Sequence, residues 1–129
     1  MQGTSEQDTR TAATIAAIQR FDAAFNRHNV EEVIAAMNHD CVFESTYPPP
    51  DGQRHEGYAA VRAAWEAFFQ ASPHATFEIE ELFACDDRAV VRWRYHWIDA
   101  TGTAGHVRGV DVIRVRNGKV AESLAYVKG

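Results

Sequence analysis

The chain has 129 residues, of which 46% are hydrophobic and 24% are charged, and its formal net charge is −5 at pH 7. A chain of this length can build its own hydrophobic core, so we expect one domain over residues 1–129, with a flexible N-terminus over 1–8. The negative charge argues against nonspecific binding to nucleic acid or to an anionic membrane. No apolar run reaches the roughly 20 residues of a membrane-spanning helix, so we expect no membrane partner.

Three segments have the apolar spacing of helices. The first predicts a helix over residues 9–28, and the members of its stripe are Ile15, Ile18, Phe21 and Phe25. Asn29, followed three residues later by Glu32, resembles a capping box and predicts a short helix over 30–37. A third stripe predicts a helix over 58–71, and its members are Tyr58, Val61, Trp65, Phe68 and Phe69.

The other segments alternate as strands do. The predicted strands cover residues 40–47, 76–85, 89–98, 107–115 and 119–127. Asn117 and Gly118 form the strongest short hairpin signal, because both tolerate the positive φ of a type I′ turn. The order is α-α-β-α-β-β-β-β, which predicts an α+β fold with helices packed on one face of an antiparallel sheet.

Asp111 is the most unusual residue of the predicted strands. It shares one face with apolar residues and a glycine, namely Val107, Gly109, Ile113 and Val115. A carboxylate on such a face is costly unless it is paired or protonated.

The register of the neighbouring strand decides between these two states of Asp111. If Trp93 and Tyr95 share its face, Asp111 lies in an aromatic cavity with a raised pKa, and it can act as a general acid or base. A shift of one residue would place Arg92 or Arg94 beside it as a salt bridge. We expect the first arrangement.

The cysteines and histidines give no sign of a disulfide or a metal site. Cys41 and Cys85 are distant in sequence, and no signal peptide is recognisable, so we expect reduced thiols in the cytoplasm. The six histidines show no spacing of a common metal motif. A Gly-rich phosphate loop and a nucleophile elbow are also missing. We therefore expect a protein that works without metal or other cofactors.

The run Arg92-Trp93-Arg94-Tyr95-His96-Trp97 combines cations and aromatic rings, as some nucleic-acid-binding surfaces do. Strand alternation places the cations and the rings on opposite faces, so the run predicts no nucleic-acid partner. The outward row of arginines faces solvent or a dimer partner, and Glu78 and Glu80 are suitably placed to pair with it. That row consists of Arg92, Arg94, Arg108, Arg114 and Arg116.

This order of elements, together with the segment D-x-x-R-V-x-N-G-K-V that begins at Asp111, resembles the nuclear transport factor 2-like superfamily. More narrowly, residues 12–127 resemble the SnoaL-like polyketide cyclases and the ketosteroid isomerases. The resemblance implies a cone-shaped fold in which three N-terminal helices pack on a strongly curved, mostly antiparallel sheet. It also implies a deep apolar pocket and a homodimer formed through the outer sheet face. Activity is not implied by this scaffold, which hosts many chemistries.

Only some of the catalytic residues of the ketosteroid isomerases have a counterpart at the matching positions of this chain. Their oxyanion-binding aspartic acid falls on Asp111, whereas their tyrosine falls on Phe21 and their proton-shuttling aspartate falls on Ser45. Steroid isomerisation needs a base and a pair of donors, so the chain is not expected to be a true ketosteroid isomerase. The SnoaL-like cyclases depend mainly on one acid/base aspartate at the position of Asp111, which matches better.

The expected pocket surrounds Asp111 with residues from both layers. The helical aromatics Phe21, Phe25, Trp65 and Phe69 line a pocket or fill the core. Further lining residues are Ser45, Tyr47, Trp93, Tyr95 and Tyr126. For the last strand the alternative remains open that Ala121, Ser123, Ala125 and Val127 form the inner face instead of Tyr126.

Two hypotheses about function follow. In the first, the protein binds a small, largely apolar ligand, such as a polyketide-like or steroid-like molecule, and Asp111 transfers protons on it as in an isomerase or cyclase. In the second, the chain is a non-catalytic ligand-binding or protein-assembly module on the same fold. The missing tyrosine and the missing first-strand aspartate favour the second hypothesis.

Overall fold

The computed structural model describes residues 5–128. Its helices are α1 (Glu6–Asn26), α2 (Val30–Ala35) and α3 (Gly57–Ala71). Its strands are β1 (Met37–Glu44), β2 (Arg54–Glu56), β3 (Thr76–Cys85), β4 (Arg88–Ile98), β5 (Ala104–Arg116) and β6 (Lys119–Val127). The predicted α+β fold is confirmed. The short strand β2, which has three residues, was not predicted, because so few residues cannot show an alternating pattern.

The six strands form one sheet in the order β2-β1-β6-β5-β4-β3. Every neighbouring pair is antiparallel except β1 and β6, which are parallel. The β5–β6 hairpin turns at Asn117 and Gly118, whose φ angles of 55° and 74° confirm the expected turn. The sheet is therefore mostly antiparallel, as predicted, and α1 and α3 pack on one of its faces.

Helix α1 begins earlier than expected. The Ser5 side chain accepts a hydrogen bond of 3.0 Å from the backbone N–H of Asp8, which caps the first turn. Residues 6–8, which were expected to be flexible, are therefore helical. Residues 1–4, the remainder of the predicted flexible segment, lie outside the described part of the chain.

The boundary between α2 and β1 also differs from the prediction of a helix over 30–37 and a strand over 40–47. Met37 is fully buried and pairs with Val120 in the parallel ladder, so it begins β1 instead of ending α2. At the other end, the Ser45 hydroxyl donates to the Tyr47 carbonyl oxygen (3.0 Å) and accepts from the Gln53 N–H (3.1 Å). These bonds form a turn, and the strand therefore ends at Glu44.

The register of β4 and β5 confirms the first of the two arrangements considered for Asp111. Asp111 lies opposite Val91, Gly109 lies opposite Trp93, and Val107 lies opposite Tyr95. Paired residues of neighbouring strands share a face of the sheet. The aromatic residues of β4 and Asp111 are therefore together on the face that α1 and α3 cover.

Candidate functional site

A cavity of about 510 Å³ lies between the helices and the inner face of the sheet. This is within the size range of small-molecule sites. Most of its wall is aromatic or aliphatic, and its aromatic members are Phe21, Phe25, Phe43, Tyr47, Trp65, Phe68, Phe77, Trp93, Tyr95 and Trp97. Its polar members are Asp22, Ser45, Thr46, Ser72, Asp111 and Ser123.

Two glycines of β5 make room for the tryptophans of β4. A Cβ atom at Gly109 would lie 2.7 Å from the indole of Trp93, and one at Gly105 would lie 2.6 Å from the indole of Trp97. Real Cβ atoms do not approach other atoms so closely. Each indole can therefore lie over its glycine only because glycine has no side chain. The missing side chains of the two glycines thus leave room for both rings against the sheet, where the rings form part of the cavity wall.

The helical side of the cavity is held by contacts between rings. Phe25 of α1 packs edge-on against Trp65 of α3 with 4.9 Å between centroids, and against Phe77 of β3 with 5.3 Å. Trp65 in turn packs on Phe43 of β1, with 3.9 Å between centroids. Aromatic pairs of this kind add to the stabilisation from burial alone. The helix and strand sides of the wall therefore support each other.

Asp111 lines this cavity from β5, and no arginine, lysine or histidine shares the wall among residues 5–128. Burial raises the pKa of Asp111 from 3.8 to about 7. The indole N–H of Trp93 acts in the opposite direction, although it forms no hydrogen bond of normal geometry. An unpaired carboxyl that titrates near neutrality is suited to general acid/base chemistry.

Asp22 is a second carboxyl on the cavity wall, and the sequence analysis missed it. Burial raises its pKa most, the negative charge of Asp111 raises it further, and the result is about 8. Asp111 has the lower pKa and therefore ionises first. Its negative charge is then present when Asp22 ionises, which is why this charge raises the pKa of Asp22 and not that of Asp111. The signal for Asp22 was its position in the apolar stripe of α1, three residues before Phe25 and four after Ile18.

Most of the residues predicted for the pocket do lie on the cavity wall. These are Phe21, Phe25, Ser45, Tyr47, Trp65, Trp93, Tyr95 and Asp111. The Ser45 hydroxyl is engaged in the turn after β1. Tyr47 is 77% exposed, so it contributes little buried surface to the wall.

Two predicted lining residues lie elsewhere. Phe69 stacks on the imidazole of His28, with 4.7 Å between centroids, and belongs to the core beside the cavity. Tyr126 is 56% exposed and pairs with Val110 on the outer face of the sheet. The inner face of β6 carries Ser123 and Ala125, which was the alternative left open for this strand.

The outer face of the sheet carries paired charges. Arg108 donates two hydrogen bonds to Glu80, of 2.9 and 2.8 Å, and these bonds lower the pKa of Glu80. Arg92 donates one to Glu81 (3.2 Å). The expected pairing of the outward arginines with acids of β3 is therefore present for Arg108.

An apolar row crosses the same outer face on four strands. It runs through paired positions, which are Phe83, Val90, Val112 and Leu124. Phe83 is 55% exposed. We call these four residues the outer apolar row.

No helix within residues 5–128 is both long and apolar enough to cross a membrane. In the same range, no three histidine, cysteine, aspartate or glutamate side chains come together as a metal site would require.

Comparison with known proteins agrees with this architecture. A nuclear transport factor 2-like protein of unknown function from Mesorhizobium loti is 38% identical, with 93% of this chain and 94% of that chain covered and a TM-score of 0.78. A candidate polyketide cyclase from Xanthomonas campestris is 19% identical, with coverage of 92% and 93% and a TM-score of 0.77. TerC, crystallised with polyporic acid, is 19% identical, with coverage of 90% and 92% and a TM-score of 0.77.

No curated protein matches the chain significantly. The family model of the SnoaL-like domain matches residues 18–123, which is most of the chain. The protein therefore belongs to the SnoaL-like family.

Proposed function

We propose that the cavity binds a small, largely apolar molecule and that Asp111 transfers protons on it, in a reaction of the isomerase or cyclase type. The observation that carries this proposal is the unpaired carboxyl of Asp111 in an aromatic cavity, with a pKa of about 7. A group with this pKa is present in both protonation states near neutral pH, as a general acid or base should be. The reaction needs no cofactor, because enolisation requires only a base and a donor for the substrate oxygen.

A polyketide-like ligand agrees with the solved relatives. TerC was crystallised with polyporic acid, and another neighbour is a candidate polyketide cyclase. Flat rings of such molecules suit a wall built from Trp65, Trp93 and Tyr95, because aromatic faces stack on one another. A literal steroid isomerase is not proposed, since Phe21 has no hydroxyl and the Ser45 hydroxyl bonds to backbone groups.

The first experiment is a thermal-shift screen of the wild type and of Asp111→Asn against enones, phenols and polyketide-like lactones. A ligand at about one hundred times its Kd adds roughly 2.7 kcal/mol, which raises Tm by several degrees. For any compound that is also turned over, Asp111→Asn should lower the rate by about 10²- to 10⁴-fold while the fold is retained.

The matched control is Asp51→Asn, which makes the same charge change at an exposed loop position. It should bind and turn over like the wild type. Full turnover in Asp111→Asn would refute the catalytic role. Binding without any turnover would support the alternative, a non-catalytic ligand-binding module.

We also propose that two copies associate through the outer apolar row. The strand register places these residues on the face of the sheet opposite to Asp111 and the cavity, and the paired charges around Arg108 and Arg92 would rim such an interface. The experiment is sedimentation equilibrium of the wild type and of Val112→Asp, whose charge would lie in the middle of the row. A dimer that the substitution converts to a monomer supports the interface, whereas a monomeric wild type contradicts it.

The expected location is the cytoplasm. Cys41 and Cys85 are both free thiols, which supports a reducing compartment.

A further inference from the structure

Asp22 and Asp111 enter the same cavity from different layers of the fold. Asp22 comes from the C-terminal part of α1, four residues before the helix ends at Asn26, and Asp111 comes from the centre of β5. Both side chains line this cavity, and the negative charge of Asp111 raises the pKa of Asp22. The sequence separates them by 89 positions, so only the packing of α1 on the sheet brings them together.

The hydrogen bonding of Asp22 is incomplete in a specific way. Its Oδ2 atom is buried, and no donor reaches it from residues 5–128. An ionised carboxylate oxygen can only accept hydrogen bonds, so a buried one without a donor pays the full cost of lost hydration. A protonated carboxyl avoids most of this cost, and its O–H can itself donate.

Within residues 5–128, the cavity wall supplies no positively charged group that could pair with either carboxyl. Among the described residues, the only other titratable side chains on the cavity wall are Tyr47 and Tyr95, neither of which carries a positive charge. The contributions of α3, β3 and β6 to the wall are aromatic, aliphatic or hydroxyl side chains. Two carboxyls without a counter-ion cannot both be ionised cheaply, so one of them keeps its proton.

We propose that Asp22 is the proton-holding partner of Asp111: a neutral carboxyl on the wall of the same cavity that limits the cavity to a single negative charge. This inference rests on the proposed function of Asp111. During turnover, Asp111 accepts a proton from a substrate carbon and returns it to another atom, whereas Asp22 keeps its own proton. Asp22 thus acts through the charge of the cavity and not on the substrate itself, and the site favours neutral ligands over anions.

The two groups then titrate as a coupled pair. Asp111 loses its proton near pH 7 and Asp22 loses its own near pH 8. Activity should rise as Asp111 ionises. It should fall again as Asp22 ionises, because a second negative charge opposes the charge that develops on the substrate oxygen.

The experiment is a carboxyl ¹³C NMR titration of the protein without ligand, from about pH 5 to about pH 9. It compares the wild type with Asp22→Asn, Asp111→Asn and the exposed control Asp51→Asn. We expect two carboxyls of the wild type and of the control to titrate in this range, and one in each of the other variants. In Asp111→Asn the pKa of Asp22 should fall, because the repelling charge is gone.

The inference is overturned if Asp22 titrates in the wild type at an ordinary acidic value, or if Asp111→Asn leaves its pKa unchanged. Either single variant suffices, so a folding failure of the other does not prevent a decision. If a compound that is turned over is known, the activity of Asp22→Asn should still fall at acidic pH. It should no longer fall at alkaline pH. A coupled titration without any turnover would refute the proposed function and leave the pair intact.

Discussion

Both faces of the sheet carry a carboxyl group, but its pKa is lowered on the outer face and raised on the inner face. On the outer face, Glu80 accepts two hydrogen bonds from Arg108, and its pKa is lowered. On the inner face, Asp111 has no cationic partner within the described chain, and its pKa is raised to about 7. Both acids lie on strands of one sheet, so the difference comes from the side to which each side chain points.

This contrast identifies the face on which chemistry is to be expected. The ion pairs of the outer face keep its acids ionised near neutral pH, so these acids neither take up nor release protons there. The lack of pairing on the inner face leaves a carboxyl whose protonation state is close to balance. Perturbed pKa values of this kind cluster at functional sites.

The largest expected effect compares two neighbouring residues of β4 on opposite faces. Trp93 is 4% exposed, so Trp93→Ala should lower the free energy of unfolding by about 3–5 kcal/mol. The side chain of Arg92 is 44% exposed, so Arg92→Ala should cost only about 0–1 kcal/mol. Urea denaturation of both variants measures the difference. Equal losses would mean that the inner face is no better packed than the outer one.

A smaller effect is the pH dependence of stability. In the folded state Asp111 has a pKa of about 7 instead of 3.8, so between these values the folded protein binds more protons than the unfolded chain. The free energy of unfolding therefore falls as pH rises through this window. Because the pKa of Asp22 is raised to about 8, the free energy of unfolding continues to fall up to about that pH. The outer-face Glu80 has a lowered pKa, so its contribution has the opposite sign and is lost as pH falls.

Asp111→Asn should remove much of this cost. Above about pH 8 we expect the variant to be more stable than the wild type, by on the order of 2–4 kcal/mol. At about pH 4 the two proteins should be nearly equal, because Asp111 is then neutral in the folded wild type. Urea denaturation at both pH values tests this, with Asp51→Asn as the control. A variant that is less stable at high pH would show that ionised Asp111 has a favourable partner.

The sequence predicted the fold well because its signals are local and repeated. The spacing of Ile15, Ile18 and Phe25 predicts α1, and Asn117-Gly118 predicts the last hairpin, without knowledge of any contact. The apolar company of Asp111 on its strand face also followed from its strand neighbours, whereas the register against β4 was left open between two arrangements. Such patterns depend only on the periods of helix and strand.

The parts of the site that the sequence did not predict depend on packing between elements. Asp22 interrupts the apolar stripe of α1, but one polar residue in a stripe does not show whether it faces a core, a cavity or solvent. In β6 the usual rule is reversed, since small Ser123 and Ala125 face inward and large Leu124 and Tyr126 face outward. Small inner residues leave room for the cavity, and large outer ones suit the proposed interface between copies.

The smallest effect comes from giving the inner face the kind of partner that the outer face has. Ala125 lies opposite Asp111 on β6 and lines the cavity, so Ala125→Lys would place an ammonium group near that carboxyl. An opposite charge at short range favours ionisation, and we expect the pKa of Asp111 to fall by about 1–2. Leu124→Lys adds the same charge to the outer face and should leave this pKa nearly unchanged. Carboxyl NMR titration measures both variants. Equal shifts would show that the sheet does not separate the two faces electrostatically, and the assignment of chemistry to the inner face would then lose its basis.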